Sequence, residues 1–255
     1  MRAAVVTALV LAANVASAQE HPLADGAVGL GGVSRHLSYH QDVFGRFAPY
    51  DLALAPSVLF RGEVYLFGAT PLTALRDLGV VGAAELVFGV SSQGADGRAR
   101  DTSFTSAEAG LRYRFPYAAG EFGVSARWVL QRFAIGAGAP GDPALVPEIA
   151  YQSVRAGVDL RHRVHPRVAV TAAIGWLFVL DAGELTERYF PRATIQAADA
   201  SLGVAFAVTS GIEVRATLGA RRYFHDMRVE PGDPYLAGGA LDHVFSGALT
   251  AAWRR

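Results

Sequence analysis

Apolar and polar side chains alternate residue by residue through most of this sequence. In residues 121–131, Phe122, Val124, Ala126, Trp128 and Leu130 fall on one face, with Glu121, Gly123, Ser125, Arg127 and Gln131 on the other. Residues 107–115 set Ala107, Ala109, Leu111, Tyr113 and Phe115 against Glu108, Gly110, Arg112 and Arg114. Residues 154–161 and 212–221 repeat the pattern. A side-chain period of two belongs to extended chain, where successive Cβ atoms point to opposite sides. It predicts about ten strands, near 26–37, 53–67, 78–90, 103–115, 121–135, 149–161, 167–180, 194–208, 212–224 and 241–253. Most exceed the ~5–6 residues usual in soluble sheets and suit the ~9–11 tilted residues that cross a bilayer. A short helical turn is expected within 69–78.

The connections alternate in length. Long polar or Gly/Pro-containing loops at 38–52, 91–102, 136–148, 181–193 and 225–240 are separated by short links at 116–120, 162–166 and 209–211. Long loops on one rim and short turns on the other is the arrangement of membrane barrels, with the short turns periplasmic. Thr209-Ser210-Gly211 fits a three-residue hairpin with glycine in the left-handed position. That hairpin pairs Val208 with Ile212, and counting outward sets Asp199 across from Arg221 on the polar face.

Period two does not by itself say which face points inward; composition does. Hydrophobic residues make up 51% of the chain and charged residues 18%, yet the longest apolar stretch, Val168 to Leu180, is too short for a membrane helix of about 20 residues. The polar faces carry Gly, Ser, Thr, Glu and Arg, and the sequence has no lysine, so they would make a poor soluble surface. They suit a hydrated lumen, with the apolar face turned to lipid. Aromatic residues fall where girdles at the two membrane surfaces belong: Tyr113, Phe115, Phe122 and Trp253 near one end, Phe88, Trp176, Phe178 and Phe224 near the other. The N-terminus carries an export signal, with Arg2, an apolar run from Ala3 to Ala13, and the small-residue site Ala16-Ser17-Ala18. Cleavage there separates a signal peptide, 1–18, from a barrel domain, 19–255. It leaves 22 arginines against 23 acidic residues, so no basic excess favours nucleic acid. Cysteine is absent, which removes disulfides and a lipoprotein anchor.

The chain closes on Phe245-Ser246-Gly247-Ala248-Leu249-Thr250-Ala251-Ala252-Trp253, which resembles the C-terminal assembly strand of bacterial outer-membrane proteins; Arg254-Arg255 follow where family members end on the aromatic. Taken with the strands, turns and girdles, the mature sequence resembles a small barrel of the OmpA, OmpX or OmpW kind. The resemblance implies an all-β, closed, antiparallel up-and-down transmembrane barrel in the cell outer membrane. It also implies delivery by the barrel-assembly machinery and contact with outer-membrane lipid and lipopolysaccharide. We expect a monomer that needs no cofactor.

The expected lumen carries Arg61, Glu63, Glu85, Glu108, Arg112, Arg114, Arg127, Arg155, Asp159, Asp199, Glu213, Arg215 and Arg221. Both signs in near balance point to an internal ion-pair network, whereas a selective pore carries an excess of one sign. Glu108 is expected diagonal to Arg127. The functional expectation is a structural or surface-interaction role, with a narrow passive pore as the alternative and a barrel enzyme third. His36-Leu37-Ser38 resembles the His-x-Ser element of outer-membrane phospholipase and lipid A deacylase barrels, but Tyr39-His40 stands in place of the Asn-Gly that follows it there. His225-Asp226 resembles half of the omptin protease site, yet neighbours on a strand face opposite ways and no Asp-x-Asp is present. The pairs His36/His40 and His162/His165 lack a completing carboxylate, so no metal site is expected.

Overall fold

A computed structural model describes residues 22–45, 47, 49–68, 70, 73–93, 99–135 and 148–255; the signal peptide and most of the loop expected at 136–148 lie outside them. Ten strands form: β1 (Ala24–His40), β2 (Tyr50–Val64), β3 (Leu78–Gln93), β4 (Ala99–Tyr117), β5 (Gly120–Ile135), β6 (Ile149–His165), β7 (Val168–Asp181), β8 (Thr194–Thr209), β9 (Ile212–Asp226) and β10 (Gly239–Arg254). A one-turn helix, α1 (Thr73–Arg76), lies between β2 and β3, and a π-helical turn, Leu185–Tyr189, follows β7. Each strand pairs antiparallel with its neighbours in sequence, and β1 pairs with β10, so the sheet closes without an edge. Closure satisfies every strand's backbone in lipid, which offers no hydrogen-bond partners.

The apolar face points outward. Trp128, Val158 and Leu218 are 43%, 37% and 71% exposed, as a lipid-facing belt requires. The start of β1 and the end of β10 share one end with the turns at 118–119, 166–167 and 210–211 (the turn end). The long connections 41–49, 182–193 and 227–238 occupy the other (the loop end). Strands of 14 to 19 residues are longer than the ~9–11 needed to cross hydrocarbon.

Two local expectations are corrected. Thr209, not Val208, stands opposite Ile212, because the register shifts by one residue between Ala207 and Thr209 as the chain enters a turn with Gly211 at φ +93°. Beyond the shift, Asp199 does face Arg221. β2 begins at Tyr50 and ends at Val64, rather than spanning 53–67, because Tyr65 swings inward and Gly68 N–H closes a turn on its carbonyl at 3.1 Å.

The C-terminal residues Arg254-Arg255 continue the closing seam. Arg254 lies opposite Asp25, and the Arg255 carbonyl accepts the N–H groups of Leu23 and Ala24.

Candidate functional site: the barrel interior

The interior is stratified. All thirteen expected charges face it: eleven line a mid-lumen space of about 370 Å³, and Arg114 and Glu213 line a wider basin at the turn end.

At the turn end, inward residues of seven strands interlock. Arg112 on β4 donates from Nη1 to Glu63 at 2.7 Å, from Nε to Asp159 at 3.1 Å and from Nη2 to Glu121 at 3.3 Å. Arg215 grips Asp25 through both terminal nitrogens at 2.8 and 2.7 Å, and its Nε donates to Glu213 at 2.9 Å. Arg161 donates to Glu213 at 2.5 Å, and Arg254 lies 3.0 Å from Asp25 and 3.4 Å from Glu121. Arg114 stacks 3.6 Å over the Tyr65 ring and bonds Asp77 beside α1 at 2.9 Å. Planar guanidinium groups suit such shared, forked contacts.

In the middle, Arg155 on β6 clamps Asp199 on β8 with two 2.7 Å bonds. Arg221 adds a third at 3.3 Å and reaches Gln131 on β5 at 3.1 Å. Arg127 bonds Glu108 across the diagonal of the β4–β5 ladder at 2.5 Å. Glu85 accepts from Ser57 at 2.8 Å. Arg61 has no ion pair among the described residues and extends into the open mid-lumen near Glu85 and Glu108.

Towards the loop end the interior becomes apolar, which corrects the expectation of a hydrated lumen along the whole barrel. Val33, Leu37, Phe104, Val129, Phe133, Ile149, Leu177 and Tyr223 are at most 2% exposed and pack as one cluster. A polar knot is embedded there. Arg35 on β1 donates from Nε and Nη2 to the two oxygens of Asp242 on β10, at 2.8 and 2.7 Å, with both side chains fully buried. Tyr151 donates to Asp242 at 2.9 Å, lies 2.9 Å from His225 Nε2 and stacks on Tyr223 with centroids 3.8 Å apart. His225 Nδ1 faces the Ala240 carbonyl at 3.1 Å, so it carries a proton and donates. The single hydroxyl proton of Tyr151 is then shared between Asp242 and Nε2 whenever the imidazole is neutral.

Above this knot the connections pack together. Phe47 from 41–49 meets Tyr189 and Phe190 from 182–193 and Tyr235 from 227–238, with centroids 5.9, 5.3 and 5.6 Å apart. Asp233 in the last connection accepts from the Glu230 N–H at 2.7 Å and pairs with Arg192, contacts that hold its carboxyl below the usual carboxylate range.

Other expected features fall apart in space. His36 points outward beside Asp51 and His243, while Leu37 between it and Ser38 fills the core, so no buried base–nucleophile pair forms there. His225 points inward, and Asp226 points out to Arg228 at 3.2 Å. His162 stacks on Tyr117 with ring planes 16° apart. Of the girdle, Phe115, Phe122 and Trp253 at the turn end and Trp176 and Phe178 at the loop end are 38–54% exposed, and Tyr113 packs on Phe115 at 4.9 Å.

Sequence reasoning missed Arg35, Asp242, Tyr151 and His225 as one cluster. The runs Trp128-Val129-Leu130 and Trp176-Leu177-Phe178, where alternation stops because inward positions are apolar as well, do not point to it.

The barrel resembles the outer membrane protease OmpT from Escherichia coli, with a TM-score of 0.57, 9% identity and coverage of 91% of this chain and 96% of that one. The fold is that of the bacterial outer-membrane β-barrels. Neisserial surface protein A and the outer membrane protein AlkL also match, at 14% and 10% identity, but with TM-scores of 0.35 and 0.36. They cover 90% and 94% of this chain, and 95% and 94% of their own lengths are covered. At these identities the likeness is one of fold. No protein-family model matches the sequence, and no curated protein matches it.

Proposed function

We propose that this outer-membrane barrel is a closed scaffold, with its turn end in the periplasm and its loop end presenting a surface for interaction. One observation carries the reading: the loop-end third of the interior is filled by side chains packed to near-zero exposure, under an aromatic cover made by three connections. Apolar side chains packed against one another across the interior oppose ion passage, because an ion among them loses its hydration. Lipopolysaccharide, whose headgroups surround that end in the proposed orientation, is the first partner to test.

Planar-bilayer recording of the purified, folded protein tests the scaffold reading. The expected result is a silent membrane at protein densities where a known porin conducts. Steady single-channel steps would instead establish the narrow-pore alternative, to which the open turn-end and mid-lumen spaces lend the basis.

A further inference from the structure

The turn-end basin has a volume of about 1170 Å³ and is lined by seven arginines and two glutamates. Three of the arginines are already committed: Arg114 to Asp77, Arg161 to Glu213, and Arg254 to Asp25 and Glu121. The carboxylates at this level are oversubscribed. Asp25 serves Arg215 and Arg254, Glu121 serves Arg112 and Arg254, and Glu213 serves Arg161 and Arg215. Arg76, Arg163, Arg167 and Arg255 have no ion pair among the described residues and stand exposed around the mouth. Arg163 continues the inward face of β6 begun by Asp159 and Arg161, so the sheet itself directs it towards the basin.

Cations collected on the wall of a concavity reinforce one another, because the low-dielectric barrel concentrates their field in the opening. Forked guanidinium groups match the paired oxygens of phosphate. From this we propose that the turn-end basin is a binding site for phosphate-bearing anions, drawn in by the exposed Arg76, Arg163 and Arg167 that line it. The site is independent of whether the lumen conducts, and in the orientation proposed above it opens to the periplasm. Phosphate could arrive on a soluble molecule or on a phospholipid headgroup at the membrane surface; the basin-facing placement of Arg163 favours the soluble source.

Inorganic pyrophosphate titrated into the detergent-folded barrel by calorimetry is the direct test, with each protein first shown to be folded by its heat-dependent gel shift. Binding is expected in the unaltered protein, with marked weakening by salt, since the contacts are solvent-accessible. The combined change Arg76→Ala, Arg163→Ala and Arg167→Ala should weaken it about tenfold or more. Arg192→Ala with Arg228→Ala, at the opposite rim, should leave it unchanged. Repeating the titration in nanodiscs separates the sources. Binding that persists in phosphatidylglycerol discs assigns the site to soluble phosphate, and binding blocked there but kept in phosphatidylcholine discs assigns it to anionic lipid. Equal binding by the turn-end variant and the unaltered protein, equal loss in the loop-end control, or no binding in detergent would overturn the proposal.

Discussion

Arg35 on β1 and Asp242 on β10, 207 residues apart in sequence, are joined by two parallel bonds of 2.8 and 2.7 Å inside the seam that closes the barrel. At the other end of the same seam Asp25 stands directly opposite Arg254, 3.0 Å apart. The two strands that meet last in sequence order are therefore pinned by ion pairs at both ends. The upper pair is dry and the lower one faces the basin, and burial makes the upper pair the more sensitive to loss of one partner.

Asp242→Ala should strand a buried guanidinium and destabilise the fold by about 3–5 kcal/mol. Arg35→Met with Asp242→Leu removes both charges and should recover most of that loss, because the desolvation of two ions disappears along with their attraction. The denaturation midpoint in urea, followed by the gel shift of the folded form, reads the difference. A double variant no more stable than the single one would mean that the pair's contacts with Tyr151 and Phe133 matter more than its charge balance.

The mid-lumen charges should differ sharply in weight. Arg155 supplies two of the three bonds to Asp199, so Arg155→Ala should cost about 1–3 kcal/mol. Arg61 has no ion pair among the described residues and reaches into open space, so Arg61→Gln should leave the midpoint nearly unchanged. Comparable losses for the two would show that the network responds to total charge rather than to particular bonds.

The strand pattern was legible because lipid imposes it. Every lipid-facing position must be apolar, so alternation survives wherever the opposite face is charged, as in β4, β5 and β9. The Asp199–Arg221 pairing was legible although the hairpin was misplaced by one residue, because the register shift between Ala207 and Thr209 restores the pairing that a Val208–Ile212 start implies. The apolar plug was not legible, since an inward Leu177 between outward Trp176 and Phe178 reads as one continuous apolar run. Nor was the polar knot: Tyr151 and His225 sit on strands that are not neighbours, and only the curvature of the closed wall brings them to 2.9 Å.

The outward direction of the apolar face has its own test. Leu218, midway along β9 and 71% exposed, should meet hydrocarbon, so Leu218→Arg should destabilise the barrel by about 2–4 kcal/mol in bilayers. Thr217→Arg, the neighbouring position on the inward face, is cushioned by the polar lumen and should cost less. Reversal of that order in lipid vesicles would contradict the facing of the whole sheet.

The plug makes the most discriminating prediction for function. Phe104 and Phe133 face each other across the β4–β5 ladder, and Leu177 fills the same cluster from β7. Truncating all three to alanine opens a cavity through the packed layer between the mid-lumen and the aromatic cover, while the ion pairs below and the outer belt stay intact. If this layer is what closes the barrel, the Phe104→Ala, Phe133→Ala, Leu177→Ala variant should conduct in planar bilayers where the unaltered protein is silent. Its openings should be noisy, because the connections carrying Phe47, Tyr189 and Tyr235 still lie over the mouth. Adding Tyr189→Ala should lengthen them. Silence in a variant that still shows the gel shift would place the barrier elsewhere, in the ion-paired layers around Arg112 and Arg155.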